Sequence, residues 1–174
     1  MASGFENYNR WMVALRYVYV LALVAWLGGM IVLGALVAPT TFEILQAAEP
    51  VIGRALAGDV FGAAIARFHY VEYGAGALLL VCLAAMRLLG PRPAAFGVRA
   101  AIITTMLAAA LYSGLVVIGD MDGLQLEAGG VISSLAAGDP RRVRFDELHL
   151  LSTRLMMLNI AGALLLVYWE ARES

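Results

Sequence analysis

Four long runs of apolar residues dominate the chain, and most charged residues lie between them. The runs cover residues 11–38, 68–89, 100–118 and 148–169. At about 1.5 Å of rise per residue, a helix of roughly 20 apolar residues crosses a hydrocarbon core of about 30 Å. The pattern therefore predicts an all-α integral membrane protein. Its four transmembrane helices would pack up-down-up-down in one bundle, as a single domain over residues 1–174.

The composition supports a membrane location. Hydrophobic residues make up 62% of the 174 residues and charged residues only 14%, against about 25% charged residues in a soluble domain. So few charges do not cover a water-facing surface, whereas a lipid bilayer removes that need. The net charge of −1 gives no reason to expect nucleic acid as a partner. The bilayer is the predicted partner.

The longer connections carry helical signals of their own. Residues 51–67 have apolar positions at helical spacing, which predicts an amphipathic helix that starts after Pro50 and leads into the second span. Residues 123–135 are also partly apolar, broken by Gly129-Gly130, and suit a membrane interface. Asp139-Pro140 is typical of a helix start, with Asp as the cap. We expect these helical extensions on the outer side of the membrane.

Basic residues indicate the orientation. With four spans, one side of the membrane receives Arg10, Arg16, Arg87, Arg92, Arg99 and Arg172, whereas the opposite side receives Arg141, Arg142 and Arg144 with most of the acidic residues. Because short basic loops stay inside, the first side is predicted to be cytoplasmic. The chain is thus expected in a bacterial inner membrane, multi-pass, with both termini in the cytoplasm.

Polar residues inside the spans form stripes at helical spacing. They fix the helix register or line a site, because polar groups are costly in lipid. The chain's two histidines, His69 and His149, each lie near the start of a span that begins on the outer side, which predicts a similar depth. The residues on these stripes are His69, Glu72 and Tyr73 in span two, and His149, Ser152, Met156 and Asn159 in span four; Trp26 and Met30 in span one and Tyr112 in span three add to them.

The histidines suggest a cofactor site. Spans two and four lie on a diagonal of the bundle, roughly 11–14 Å apart, which suits a planar cofactor such as haem b between His69 and His149. A metal ion is the other option if Met30 or Met156 helps to bind it. Glu72 would then tune His69, although it could also simply bond His69 or Tyr112, or pair with Arg154. The alternative is that each histidine only hydrogen-bonds a neighbour or interfacial water.

Short motifs resemble a known family. Trp26-Leu27-Gly28-Gly29, then Ala38-Pro39-Thr40-Thr41-Phe42, and Leu148-His149-Leu150-Leu151-Ser152 with Asn159 resemble the transmembrane protein 205-like family in order and spacing. The resemblance covers nearly the whole chain. It implies four transmembrane helices and a family whose biochemical activity is mostly undefined.

Three functions follow from these observations. The chain lacks the sequence motifs of soluble enzymes, such as a phosphate-binding glycine loop or a nucleophile elbow, and no catalytic residue is predicted. The leading prediction is therefore a structural or accessory membrane protein, with other membrane subunits or a second copy of the chain as partners. The alternative is a protein that binds haem or metal at His69, His149 and Glu72. A small transporter is third.

Overall fold

A computed structural model of the chain describes the backbone of residues 2–90 and 93–173 and the side chains of residues 10–90 and 93–172. Pro91 and Arg92 of the predicted basic loop lie outside the described residues. The described part is helical and contains no strand. Its α-helices are α1 (Ala2–Val32), α2 (Ala38–Ala48), α3 (Gly53–Leu89), α4 (Phe96–Tyr112), α5 (Ile118–Glu127) and α6 (Pro140–Glu173).

These helices form a four-membered bundle. Over the described residues, four helical rods are long and apolar enough to cross a membrane, namely Arg10–Ala48, Gly53–Leu89, Phe96–Glu127 and Pro140–Arg172. The first rod packs against α3 and α6, and α4 packs against the same two helices. The predicted all-α membrane bundle is confirmed. Where the bilayer begins and ends along each rod, and whether residues 1–174 form a single domain, stay predictions.

Two rods are interrupted by a π turn. In Leu33–Val37, which joins α1 to α2, the N–H of Ala38 bonds the carbonyl of Leu33. In Ser113–Val117, which joins α4 to α5, the N–H of Ile118 bonds the carbonyl of Ser113. The first π turn comes just before Pro39, which has no N–H to donate. Because the widened turn accommodates this proline, the first rod continues to Ala48 instead of ending near residue 38.

The extensions beyond the apolar runs are helical, as predicted. Helix α3 begins at Gly53, shortly after Pro50, and α2 packs along its first part. Helix α6 begins at Pro140, where an Asp139 carboxylate oxygen accepts a hydrogen bond of 2.9 Å from the N–H of Arg141. The extensions therefore lengthen the bundle at one end.

The opposite end, where α1 starts and α6 finishes, holds a buried ionic cluster. Arg99 is fully buried and donates to Glu170 at 2.6 Å, and Arg16 lies 3.6 Å from the same carboxylate. The Arg99 guanidinium also lies over the Tyr19 ring, 4.9 Å from its centre. We call Arg16, Tyr19, Arg99 and Glu170 the terminal cluster. It joins α1, α4 and α6 through polar contacts.

Candidate functional site

All four rods enclose a small cavity, which we call the His69 cavity. Its volume is about 50 Å³. One water needs about 10–15 Å³, so a few waters or one ion fit inside the cavity. The walls combine apolar residues with a few polar groups. The cavity is lined by Met30, Leu33, Phe61, Ile65, Phe68, His69, Glu72, Ala110, Ser113, Ser152, Leu155, Met156 and Asn159.

Glu72 on α3 is the acidic residue among these described lining residues, and it is 4% exposed. One carboxylate oxygen accepts a hydrogen bond of 3.0 Å from Nε1 of Trp26 on α1. The other lies 2.5 Å from Nδ1 of His69, one turn earlier on α3. Since carboxylates in lipid need partners, these two contacts explain how a buried acid is tolerated. Of the partners expected for Glu72, the structure selects His69.

Two polar atoms of residues that line the cavity have no hydrogen-bond partner among the described residues. They are Nε2 of His69 and Oδ1 of Asn159. Both residues are well buried, at 8% and 2% exposure. Because Nδ1 of His69 is held by Glu72, Nε2 is the ring atom left for a ligand. Buried polar atoms normally find partners, and exceptions call for an explanation such as a ligand or water.

Both π turns adjoin the cavity. Leu33 and Ser113, which begin the two turns, contribute to the lining. The next residue in the second turn, Gly114, lies so close to α3 that a Cβ atom there would collide with the Tyr73 hydroxyl and the His69 ring. Tyr73 in turn stacks on His69, with ring centres 6.0 Å apart. π turns occur frequently at functional sites, and the second one, at Ser113–Val117, brings α4 close to His69 and Tyr73 of α3.

The cavity lies well inside the bundle. Ten positions separate Arg16 of the terminal cluster from Trp26, and eleven separate Glu170 from Asn159. At about 1.5 Å per residue this is roughly 15–16 Å of helical rise, about half the thickness of a hydrocarbon core. The cavity is therefore well separated from the terminal cluster along the bundle. The position near the outer membrane boundary that the sequence pattern predicts for His69 stays a prediction, because the position of the bilayer along the rods is one too.

The structure brings together most of the predicted site residues. Met30, His69, Glu72, Ser152, Met156 and Asn159 line the cavity; Trp26 and Tyr73 contact Glu72 and His69. Two predicted residues are elsewhere. His149 is exposed, about one turn of α6 beyond Ser152, and Tyr112 is 48% exposed.

The predicted cofactors differ in how they fit. His149 is not among the residues that line the cavity, so the structure does not bring the two histidines of the predicted haem site together there, and haem binding stays a prediction. Over the described residues, no group of three or more His, Cys, Asp and Glu side chains comes together to hold a metal ion. Among the residues that line the cavity, the side chains that carry a nitrogen or sulfur atom are those of His69, Met30, Met156 and Asn159. They suit an ion or a small polar molecule.

Comparison with known families gives a match over more than half of the chain. A family model described as "Domain of unknown function (DUF4149)" matches residues 21–129. The matched stretch includes Trp26, Met30, His69, Glu72 and Ser113, whereas the α6 side of the cavity lies beyond it. No curated protein and no solved structure matches the chain.

Proposed function

The chain belongs to the DUF4149 family, and since that membership assigns no activity, we propose from the geometry that it is a membrane protein that binds an ion-sized ligand in the His69 cavity. The observation that carries this proposal is that His69 and Asn159 both line this cavity, while Nε2 of the buried His69 and Oδ1 of Asn159 have no hydrogen-bond partner among the described residues.

The energetic cost of these groups supports a binding role. A buried polar group without a partner costs about 1–3 kcal/mol in proteins, and a polar or ionisable residue in a membrane is by default a sign of function. A Phe or Leu at position 69 would fill the same helix face at no such cost. A ligand that contacts both His69 and Asn159 explains why polar side chains occupy these two buried positions.

A thermal-shift measurement on the purified full chain in detergent tests this proposal. The probes are alkali, Mg²⁺, Cu(I), Ag(I), Zn²⁺, ammonium and halide salts. At least one probe should raise the melting temperature of the wild type, and the same probe should have no effect on His69→Ala or Asn159→Ala.

His149→Ala is the matched control, because it removes the other histidine, which is exposed. It should respond like the wild type. If no probe shifts the wild type, or if the shift survives in both His69→Ala and Asn159→Ala, the proposed function is wrong.

A second candidate is an accessory role in a larger membrane assembly. It is favoured by Arg154, which is exposed on α6 within the apolar stretch 148–169. A charge at this depth requires an interfacial position or an acidic partner. Under this proposal Arg154→Ala releases a co-purifying subunit or a second copy of the chain, whereas Arg144→Ala, at the exposed start of α6, does not. A transporter is a third proposal, since the same cavity would be its binding site.

The resemblance to a named family, the cellular location and the orientation of the chain are proposals as well. Kinship with the transmembrane protein 205-like family rests on the motifs around Trp26 and His149. The location in a bacterial inner membrane, with both termini in the cytoplasm, rests on the distribution of arginine.

A further inference from the structure

We propose that the ligand of the His69 cavity is a soft monovalent cation, Cu(I) or its analogue Ag(I), bound by Nε2 of His69 and the thioether sulfurs of Met30 and Met156. This inference rests on the proposed function and adds the chemical class of the ligand. Each of the three residues comes from a different rod, and all three line one cavity of about 50 Å³.

The donor set carries the argument. Thioether sulfur is a soft ligand that selects Cu(I), whereas Mg²⁺ and Ca²⁺ require several oxygen ligands. The described cavity lining offers two thioethers and one imidazole. Its oxygen atoms are the neutral ones of Ser113, Ser152 and Asn159 and the Glu72 carboxylate, which already contacts Trp26 and His69. The site therefore suits a soft ion better than a hard one.

The contact behind His69 has the form expected at a metal site. A metal-binding histidine usually donates its other ring N–H to a carboxylate, which fixes the orientation of the ring and strengthens the ligand. Here Nδ1 of His69 contacts Glu72, and Trp26 holds that carboxylate from α1. Nε2 is thereby left for the ion.

The two methionines differ from their neighbours in position. Met30 is 2% exposed and Met156 lines the cavity, whereas the adjacent Met157 is 52% exposed on the outside of α6. Packing alone does not require a thioether here, since leucine has nearly the volume of methionine and volume-conserving exchanges of this kind are tolerated best in protein cores. A Met-to-Leu exchange therefore removes the sulfur while it keeps the packing.

The test is competition for Cu(I) under anaerobic, reducing conditions between the purified full chain and a chromophoric Cu(I) chelator. The wild type should remove one equivalent of Cu(I) from the chelator. The variant with both Met30→Leu and Met156→Leu should lose this binding, and Glu72→Gln should weaken it about 10–100-fold. X-ray absorption of the loaded wild type should show nitrogen and sulfur ligands.

Met157→Leu and His149→Ala are the matched controls and should bind like the wild type. Thermal unfolding of the double methionine variant without metal checks that it is folded. The proposal is overturned if the wild type binds no Cu(I), or if the folded double variant binds as tightly as the wild type. A different probe that stabilises the chain through His69 would then still support the proposed function, so the two failures are distinguishable.

Discussion

Trp26 and Glu72 are 46 positions apart in the chain, yet Nε1 of Trp26 donates a hydrogen bond of 3.0 Å to the Glu72 carboxylate. Trp26 is fully buried, and its ring packs against Gly76, one turn farther along α3 than Glu72. This bond fixes the relative register of α1 and α3. It also leaves the other carboxylate oxygen for His69, so one side chain connects helix packing to the candidate site.

Replacing Trp26 by Phe should destabilise the protein and weaken ligand binding. The Phe ring keeps most of the packing but removes the donor, which leaves one Glu72 oxygen without this partner at a cost of about 1–3 kcal/mol. The measurement is the free energy of unfolding in mixed micelles. Trp11→Phe is the control, since Trp11 is 70% exposed and its replacement should change stability by less than about 0.5 kcal/mol. Equal effects of the two variants would contradict the role given to this bond.

Gly114→Ala should disturb the site through packing. A Cβ at position 114 would overlap the Tyr73 hydroxyl and the His69 ring, so α3 and α4 have to separate or the ring has to turn. Overpacking of this kind costs about 1–3 kcal/mol. The free energy of unfolding is measured together with the thermal shift caused by the probe salt that stabilises the wild type. Gly119→Ala, which has open space around its Cβ, should leave both unchanged, and a Gly114→Ala variant as stable as the wild type would argue against this close approach.

The sequence predicts the helices better than it predicts which positions on neighbouring helices contact each other. Runs of apolar residues identify a rod reliably, but they do not show where an amphipathic extension ends and the membrane begins. The start of the second apolar run at residue 68 thus suggests that His69 lies at a boundary. The bond from Trp26 pairs Glu72 with a position near the middle of the first apolar run. Only a contact between two helices carries that information.

The sequence also does not predict that His149 is exposed. Helical spacing puts His149 on the same stripe as Ser152 and Asn159, and the stripe does line the cavity from Ser152 onward. Periodicity gives the direction of a side chain but not the length of the cavity beside it. The sequence does not predict the π turn at Ser113–Val117 either, because this turn contains no proline that would indicate an interrupted helix.

Glu170→Gln should be strongly destabilising. It removes the carboxylate that Arg99 contacts at 2.6 Å, and Arg99 is fully buried. Breaking one side of a buried ion pair typically costs about 3–5 kcal/mol, whereas an exposed pair contributes about 0–1 kcal/mol. Glu147→Gln is the control, since Glu147 pairs with Arg144 at the surface. Unfolding in mixed micelles measures both, and a Glu170→Gln effect as small as that of Glu147→Gln would contradict the prediction.

The start of α6 should become less stable in acid. Hydrogen bonds from the Arg141 side chain, together with one from its backbone N–H, hold the pKa of the Asp139 carboxyl below its usual value. Since the folded pKa is the lower one, this stabilisation is present above the unfolded pKa of about 3.9 and is lost as the pH falls through the folded pKa.

The melting temperature measured from pH 7 to pH 2 tests this dependence. Asp139→Asn should melt below the wild type at pH 7, and the difference should shrink below about pH 4. Combining it with Arg141→Gln should add little to the effect at pH 7, because the two side chains act as a pair. A constant difference between Asp139→Asn and the wild type at every pH would contradict the assignment.

Single cysteines should report the orientation of the bundle. The natural Cys82 is 3% exposed, and Cys82→Ala provides a background without it. In that background, Ser133→Cys lies in the exposed connection before α6, and Ala94→Cys lies in the exposed loop before α4. Because basic short loops stay in the cytoplasm, a membrane-impermeant maleimide should label position 133 in spheroplasts of a bacterial host and position 94 only after lysis. The reverse pattern would place the basic end of the bundle outside.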